Sequence, residues 1–426
     1  MEMKKCKLSE ICELNNATLK SSDNFDEILY LDTSNITKNC IAELQPFFIK
    51  SAPSRAQRKV KDKTIIFSTV RPNQKHFGIL NNPPKNLIVS TGFTTLDVKK
   101  TNDFDANYVY LKLTQPYIVN HLHTLAQNSV SSYPSINPDD IGNLRFDFPP
   151  LPTQQKIAAV LSSLDDKIAL NKKINAKLEA MAKRLYDYWF VQFDFPNGEG
   201  KPYKTSGGKM VWNEVLKREI PEGWEVKRLG EVLCKIDSGK RPAGGIDKKL
   251  KTGIPSLGAE CIDSLGVFDF SSTPFISETY RNIMTSGKIE NNDILIYKDG
   301  AYVGKTTLFR DNFPYKEAFV NEHVFLVHAK EHTFEEYLYF TLSNPTYFQI
   351  MQNLGKAKAA QPGLNRDDLQ NILIIIPSKG ILTNFHCIIE PLFAEIFSNA
   401  KCIGKLLQMR DRSLPLLMNG QVEVEG

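Results

Sequence analysis

The sequence predicts an α/β protein with two similar mixed α/β modules and two long helices. The helices separate the modules and pair as an antiparallel coiled coil, making a pseudo-two-fold internal repeat. Two observations predict this. First, Pro134, Asn137, Asp139, Asp140, Asn143 and Pro149 recur as Pro362, Asn365, Asp367, Asp368, Asn371 and Pro377, always 228 residues later. Second, each copy of that signature runs into a heptad pattern. After the first copy, Ile157, Leu161, Leu164, Ile168, Asn171, Asn175, Leu178, Ala182, Leu185 and Trp189 follow at alternating steps of four and three residues, the seam of a coiled-coil helix. After the second, Phe385, Ile389, Leu392, Ile396, Asn399, Ile403 and Leu406 continue the same seam until Arg410 and Ser413 weaken it.

The modules read in order as follows. In the first, residues 64–70 and 108–113 are apolar, β-branched or aromatic runs that predict strands, and residues 117–127 predict a helix. In the second, residues 293–297 and 320–328 predict strands and residues 334–342 a helix. The resulting boundaries are a first module at 1–150, a helix at 151–193, a polar, glycine-rich linker at 194–221, a second module at 222–377 and a second helix at 378–426. Pro391 falls inside the second helix and predicts a kink or a late start there.

Each helix exposes an apolar seam that needs a partner, and the nearest is the other helix. Helices over 152–190 and 380–418 would have Asn171 and Asn399 at their midpoints, facing one another as a buried polar pair that fixes register. A helix of about 39 residues spans about 58 Å, a ruler holding two modules apart.

At 426 residues the chain exceeds one core, and 42% apolar with 24% charged residues describes an ordinary globular protein. No run of about 18 apolar residues predicts a membrane span, and the polar N-terminus is unlike a signal peptide. Seven cysteines without a CxxC pair fit neither a disulfide framework nor a zinc site, which points to the cytoplasm.

Several fragments resemble catalytic motifs and fail on physical grounds. Gly300 to Gly304 followed by Lys305-Thr306 has three residues between the glycines where a phosphate loop has four, and a strand follows it. Asn82-Pro83-Pro84-Lys85 lacks the aromatic that an adenine methyltransferase stacks on a flipped base. His328-Ala329-Lys330-Glu331-His332 spans a strand end and a helix start, where Thr333 and Glu336 are expected as a capping box, so its histidines do not share one helix face. No nucleophile–base constellation is found, and the chain reads as a non-enzyme with no catalytic residue, metal site or cofactor of its own. The Asp139-Asp140 and Asp367-Asp368 pairs are expected to cap helical turns.

A net charge of +5 is mild, but charge is clustered. Arg55, Arg58, Lys59, Lys61, Lys63, Arg71 and Lys75 face the single acid Asp62, with Asn73 and Gln74 among them. Lys235, Lys240, Arg241, Lys248, Lys249 and Lys251 form the parallel stretch of the second module. Such stretches suit phosphate contacts, with Arg, Asn and Gln available for base edges. The loops before the duplicated signature differ in chemistry at one scaffold position: Asn128 and Ser131 in the first, Lys356, Lys358 and Gln361 in the second.

The chain resembles the specificity (S) subunits of type I restriction–modification enzymes. The resemblance runs through Leu151-Pro152-Thr153-Gln154-Gln155-Lys156-Ile157-Ala158, the segment from Phe195-Pro196-Asn197-Gly198 to Val211-Trp212, and Glu219-Ile220-Pro221-Glu222-Gly223-Trp224. It implies two target-recognition domains, each reading one half of a bipartite, asymmetric double-stranded DNA site. It also implies helices that set the spacer and dock two adenine-N6 methyltransferase (M) subunits, with restriction/translocase (R) subunits completing the complex. S-adenosylmethionine, ATP and magnesium would belong to those partners. By the same resemblance, Lys240, Arg241, Lys298, Tyr302, Lys305, Asn321, His323, Lys356, Lys358 and Gln361 lie on stretches lining the DNA face. The alternative is a coiled-coil adaptor that binds protein and reads no DNA.

Overall fold

The computed structural model describes residues 3–20, 22–128, 134–240, 250, 252–270, 273–331, 334–356, 363–422 and 424. Two compact units divide the chain: Met1–Ala169 with Leu406–Gly426, and Leu170–Lys405.

The first unit begins with β1 (Lys4–Lys7), α1 (Leu8–Ile11), β2 (Cys12–Leu14) and β3 (Glu27–Leu31). It continues through β4 (Ile36–Thr37), β5 (Cys40–Ile41), β6 (Gln45–Phe48), β7 (Ala56–Lys59), β8 (Ile65–Ser68), β9 (Phe77–Ile79), β10 (Leu87–Ser90) and β11 (Phe93–Val98). Helices α2 (Ala106–Leu113), α3 (Pro116–Gln127) and α4 (Pro138–Gly142) follow, then β12 (Arg145–Phe148) and the start of α5 (Leu151–Tyr186). One sheet has the order β2-β11-β8-β9 and another β6-β3-β10-β7, while β1 pairs with β12. Every residue of β8 and β10 is buried, as continuous apolar runs require when both faces are covered.

The second unit continues α5 and then forms β13 (Met210–Asn213), β14 (Arg218–Pro221), β15 (Glu225–Arg228), α6 (Leu229–Val232), β16 (Leu233–Ser238), β17 (Ile254–Leu257) and β18 (Phe275–Ile276). Next come α7 (Glu278–Ile283), β19 (Ile294–Tyr297), β20 (Thr306–Leu308), β21 (Phe319–Val320) and β22 (Val324–Ala329). Helices α8 (Glu335–Ser343), α9 (Pro345–Lys356) and α10 (Arg366–Gln370), strand β23 (Leu373–Ile376) and α11 (Lys379–Met418) complete it. Its sheets run β16-β22-β19-β20 and β18-β17-β21, and β15 pairs with β23. The four-stranded sheet repeats the first unit's plan: β16, β22, β19 and β20 occupy the places of β2, β11, β8 and β9. The parallel pair β17–β21 likewise matches β3–β10. From the asparagine onward, the duplicated signature begins a short helix in both units. Asn137 and Asn365 begin short helices closed by capping boxes with Asp140 and Asp368, so the aspartates cap.

Within the second unit α5 and α11 run in opposite senses. Tyr186 packs on Phe385 near one end, and Asn175 Nδ2 donates to the Ile396 carbonyl at 3.0 Å further along. Phe385, Ile389, Phe393, Ile396 and Phe397 of α11 are fully buried against Tyr337, Phe340 and Trp189. That core explains why α11, long and apolar enough in composition to cross a membrane, has an apolar face packed in protein. In the first unit, Arg410 at the weak part of the seam donates to Asp165 at 3.2 Å.

Several expectations are corrected. Residues 108–113 are not a strand but most of α2. Asp105 caps it by accepting from Tyr108 N at 2.9 Å, and burial on every side of the helix erases the helical period. The strand expected at 320–328 breaks into β21 and β22 at Asn321, Glu322 and His323. The segment read as a linker is folded: Phe195 stacks on Tyr203 and Trp224 at 4.6 and 5.0 Å, and Asp194 accepts from Thr205 N and Oγ1. Helix α11 starts at Lys379 and passes Pro391 without a break. No hydrogen bond joins Asn171 to Asn399; Asn399 Nδ2 is buried without a partner, and the buried asparagine is Asn175, the next seam position. Glu336 caps nothing, because its buried carboxylate bonds Arg310 and His386, while Thr333 lies outside the described residues.

Candidate nucleic-acid interface

In the second unit the antiparallel register of β16-β22-β19-β20 brings three chain segments to one sheet end. Ser238 pairs with Phe325, Tyr297 with Val324, and Ile296 with Thr306. The segments after Ser238, between β19 and β20, and before Val324 therefore emerge side by side. Lys298 Nζ reaches Ser238 Oγ at 3.4 Å and lies 5.0 Å from the Phe325 ring centroid. His323 donates its backbone N–H to Asn321 Oδ1 at 2.9 Å, and its Nδ1 lies 2.9 Å from Asp299 Oδ2. Tyr302, 66% exposed, stands on the loop between β19 and β20. That loop is held from behind by Gln352 of α9, which donates to the carbonyls of Ala301 and Val303. Lys305 pairs with Asp263 at 3.5 Å, Lys240 is exposed, and Tyr280 Oη donates to its carbonyl at 3.4 Å. Lys356, also exposed, ends the helix that carries Gln352. The structure thus gathers Lys240, Lys298, Tyr302, Lys305, Asn321, His323 and Lys356 around one sheet end.

The first unit repeats the device with other side chains. Its loop between β8 and β9 corresponds to the loop between β19 and β20. Arg71 and Lys75 flank one 3-10 turn in the left-handed region, at φ +47° and +60°. Such a conformation costs a non-glycine residue roughly 1–2 kcal/mol. It is held by Arg71 N donating to Pro134 O, Lys38 N to Lys75 O, and Lys75 N to Pro72 O. Asn73, Gln74 and Lys75 are exposed and Pro72 is buried beneath them. Arg55 adjoins this loop through turn 90–92: Thr91 N donates to Arg55 O, and Thr69 N to Gly92 O. Asn128 is exposed at the C-terminus of α3, which packs on the same turn.

Arg58 and Lys59 are placed differently. Both lie on β7, the edge of the other sheet. Lys59 is tied to Asp23 at 2.6 Å, and burial pushes the Arg58 guanidinium below its ordinary pKa while its Nε stays buried without a partner. Ser131, Arg241, Lys358 and Gln361 lie outside the described residues. Sequence reasoning missed Asp299 and Glu322, acids that flank His323 at 2.9 and 3.3 Å. Their only sequence signal was adjacency to Lys298 and His323. His328 of the zinc-like motif bonds Asp293 instead.

Two units of similar topology, each carrying polar and basic loops at the same sheet end, define a duplicated module. The chain belongs to the family described as the type I restriction modification DNA specificity domain, which matches residues 1–180 and 221–396, and it is a type I specificity subunit. It is 23% identical to the specificity subunit of the type I restriction enzyme HindI of Haemophilus influenzae, across 93% of this chain and 95% of that one. It is 28% identical to the MjaIX specificity subunit of Methanocaldococcus jannaschii, across 92% and 87% of the two chains. Its fold is similar to the crystal structure of the S subunit of a type I restriction–modification system from M. genitalium, with a TM-score of 0.56, 16% identity and coverage of 98% and 96%.

Proposed function

We propose that each unit reads one half of a bipartite, asymmetric double-stranded DNA site. In this reading α5 and α11 set the unread spacer and dock two adenine-N6 methyltransferase subunits, to which restriction/translocase subunits add. The observation that carries it is the pairing of one sheet plan with two loop chemistries. The loop between β8 and β9 bears Arg71, Asn73, Gln74 and Lys75, where the loop between β19 and β20 bears Lys298, Tyr302 and Lys305. Similar scaffolds with different donors at the same place suit two different half-sites.

Catalysis would rest with the partners, which would also hold S-adenosylmethionine, ATP and magnesium. This chain would supply phosphate contacts, base contacts and spacing. The test is a map of N6-methyladenine in the source genome before and after deletion of the gene. One split motif should vanish on deletion, and an unchanged map in a strain expressing the intact system refutes the reading. Failure of the assembled complex to bind any duplex would favour the protein-binding adaptor instead.

A further inference from the structure

We infer that the turn between β8 and β9 is the base reader of the first unit and that Asn73 and Gln74 recognise an A·T pair in the major groove. The inference rests on the proposed DNA-reading role and adds to it the residues and the base. Three features of the turn support it. Both flanking residues, Arg71 and Lys75, are held at positive φ, so the backbone between them is set before any partner arrives. Backbone bonds from three directions fix it: Arg71 N to Pro134 O, Lys38 N to Lys75 O, and Gln74 N to Arg71 O. The two amides at its tip are exposed, and neither side chain makes a hydrogen bond among the described residues.

Two adjacent carboxamides on a rigid turn are ill suited to phosphate, which rewards cations. They match adenine, whose N7 accepts and whose N6 donates on the major-groove edge, the pattern an Asn or Gln amide satisfies with two bonds. Lys75 beside them supplies the neighbouring phosphate contact. The A·T pair concerned stays stacked in the duplex, unlike an adenine extruded for methylation. A preorganised turn also avoids the ordering cost a mobile loop would meet on binding. The corresponding loop of the second unit carries lysines and a tyrosine, so the assignment covers one half-site only.

The test uses the full chain assembled with its methyltransferase partner and duplexes in which each base pair of the recognised site is replaced in turn. The doubly substituted Asn73→Ala/Gln74→Ala chain should lose roughly 5- to 150-fold discrimination at one or two adjacent A·T positions in one half-site. Discrimination in the other half-site should persist, which also reports that the variant is folded. Placing 7-deazaadenine at the affected position should weaken the unmodified chain and leave the double variant unchanged, because the N7 acceptor is gone. Lys75→Ala should lower affinity evenly across sequences and reduce the salt slope by about 1. Unaltered base preference in the double variant, or relaxation at a G·C position, overturns the assignment. If the unmodified complex binds no duplex at all, the DNA-reading role falls and this assignment with it.

Discussion

Arg310 donates to the Glu336 carboxylate at 2.8 Å, with 6% of the arginine side chain and none of the glutamate exposed. The other oxygen of Glu336 faces His386 Nδ1 at 2.8 Å, and Arg310 also reaches Glu390 at 3.0 Å. Since His386 and Glu390 belong to α11, this buried network ties the second unit's recognition fold to its helix.

Removing one member of that network strands the other. Arg310→Ala leaves the Glu336 carboxylate buried without its cation, and a destabilisation of about 3–5 kcal/mol is expected. Arg310→Met with Glu336→Gln should lose less than Arg310→Met and Glu336→Gln singly summed, because no fully buried lone charge remains and Glu390, 41% exposed, stays in contact with water. Urea unfolding of the full chain measures both. Strictly additive losses would show that the pair is not coupled.

Gly239 tests how tightly this sheet end is built. A Cβ there would lie 1.6 Å from the Val320 carbonyl oxygen and 2.5 Å from its carbon, which are backbone atoms that cannot rotate away. Gly239→Ala should therefore destabilise the second unit by about 1–3 kcal/mol or more and displace Lys240 beside it. In Gly380→Ala the new methyl meets open space at the start of α11, so no loss is expected. Thermal unfolding of the two variants decides. Equal melting temperatures would mean that the sheet end yields freely at Gly239.

Much of this architecture was legible because its signals are local. The seam from Ile157 to Trp189 shows a helix through the match of side-chain and backbone periods. Asn137 with Asp140, and Asn365 with Asp368, show helix starts through capping chemistry. Residues 108–113 misled because a helix buried on every side has no polar face to mark its period, and its aromatic and β-branched residues favour a strand. The candidate site was legible as composition but not as geometry. Lys298 meets Ser238 from 60 residues away through strand pairing, and no local pattern encodes that register. The paired asparagines failed for a similar reason: the choice between the adjacent seam positions Asn171 and Asn175 depends on how two helices distant in sequence settle.

The cysteines should divide sharply in reactivity. Burial pushes the Cys12 thiol up to about 12 and the Cys261 thiol up to about 11, so both stay protonated and unreactive at pH 8. Cys40, Cys234, Cys387 and Cys402 are exposed. Brief treatment of the native chain with iodoacetamide should modify those four and spare Cys12, Cys261 and the buried Cys6, with urea releasing the protected three. Peptide mass spectrometry reads the outcome. Labelling of Cys12 as fast as Cys387 would contradict its burial.

Asn175 offers the most direct test of what a buried polar group contributes between the helices. It is 6% exposed; its Nδ2 donates to Ile396 O at 3.0 Å, while its Oδ1 is buried without a partner. An unpaired buried acceptor costs about 1–3 kcal/mol. The Ile396 carbonyl lies within α11 and keeps an intrahelical donor if Asn175 is replaced. Asn175→Leu therefore removes the unpaired acceptor, leaves no new one and places apolar bulk among Ile396 and its neighbours. The chain should gain about 1 kcal/mol, at the expense of a polar contact that favours one register. Asn175→Asp should instead destabilise by several kcal/mol, since a carboxylate would be buried against a carbonyl oxygen. Urea midpoints at constant m-value measure both. A loss of stability in Asn175→Leu would show that the single bond to Ile396 outweighs the unpaired oxygen.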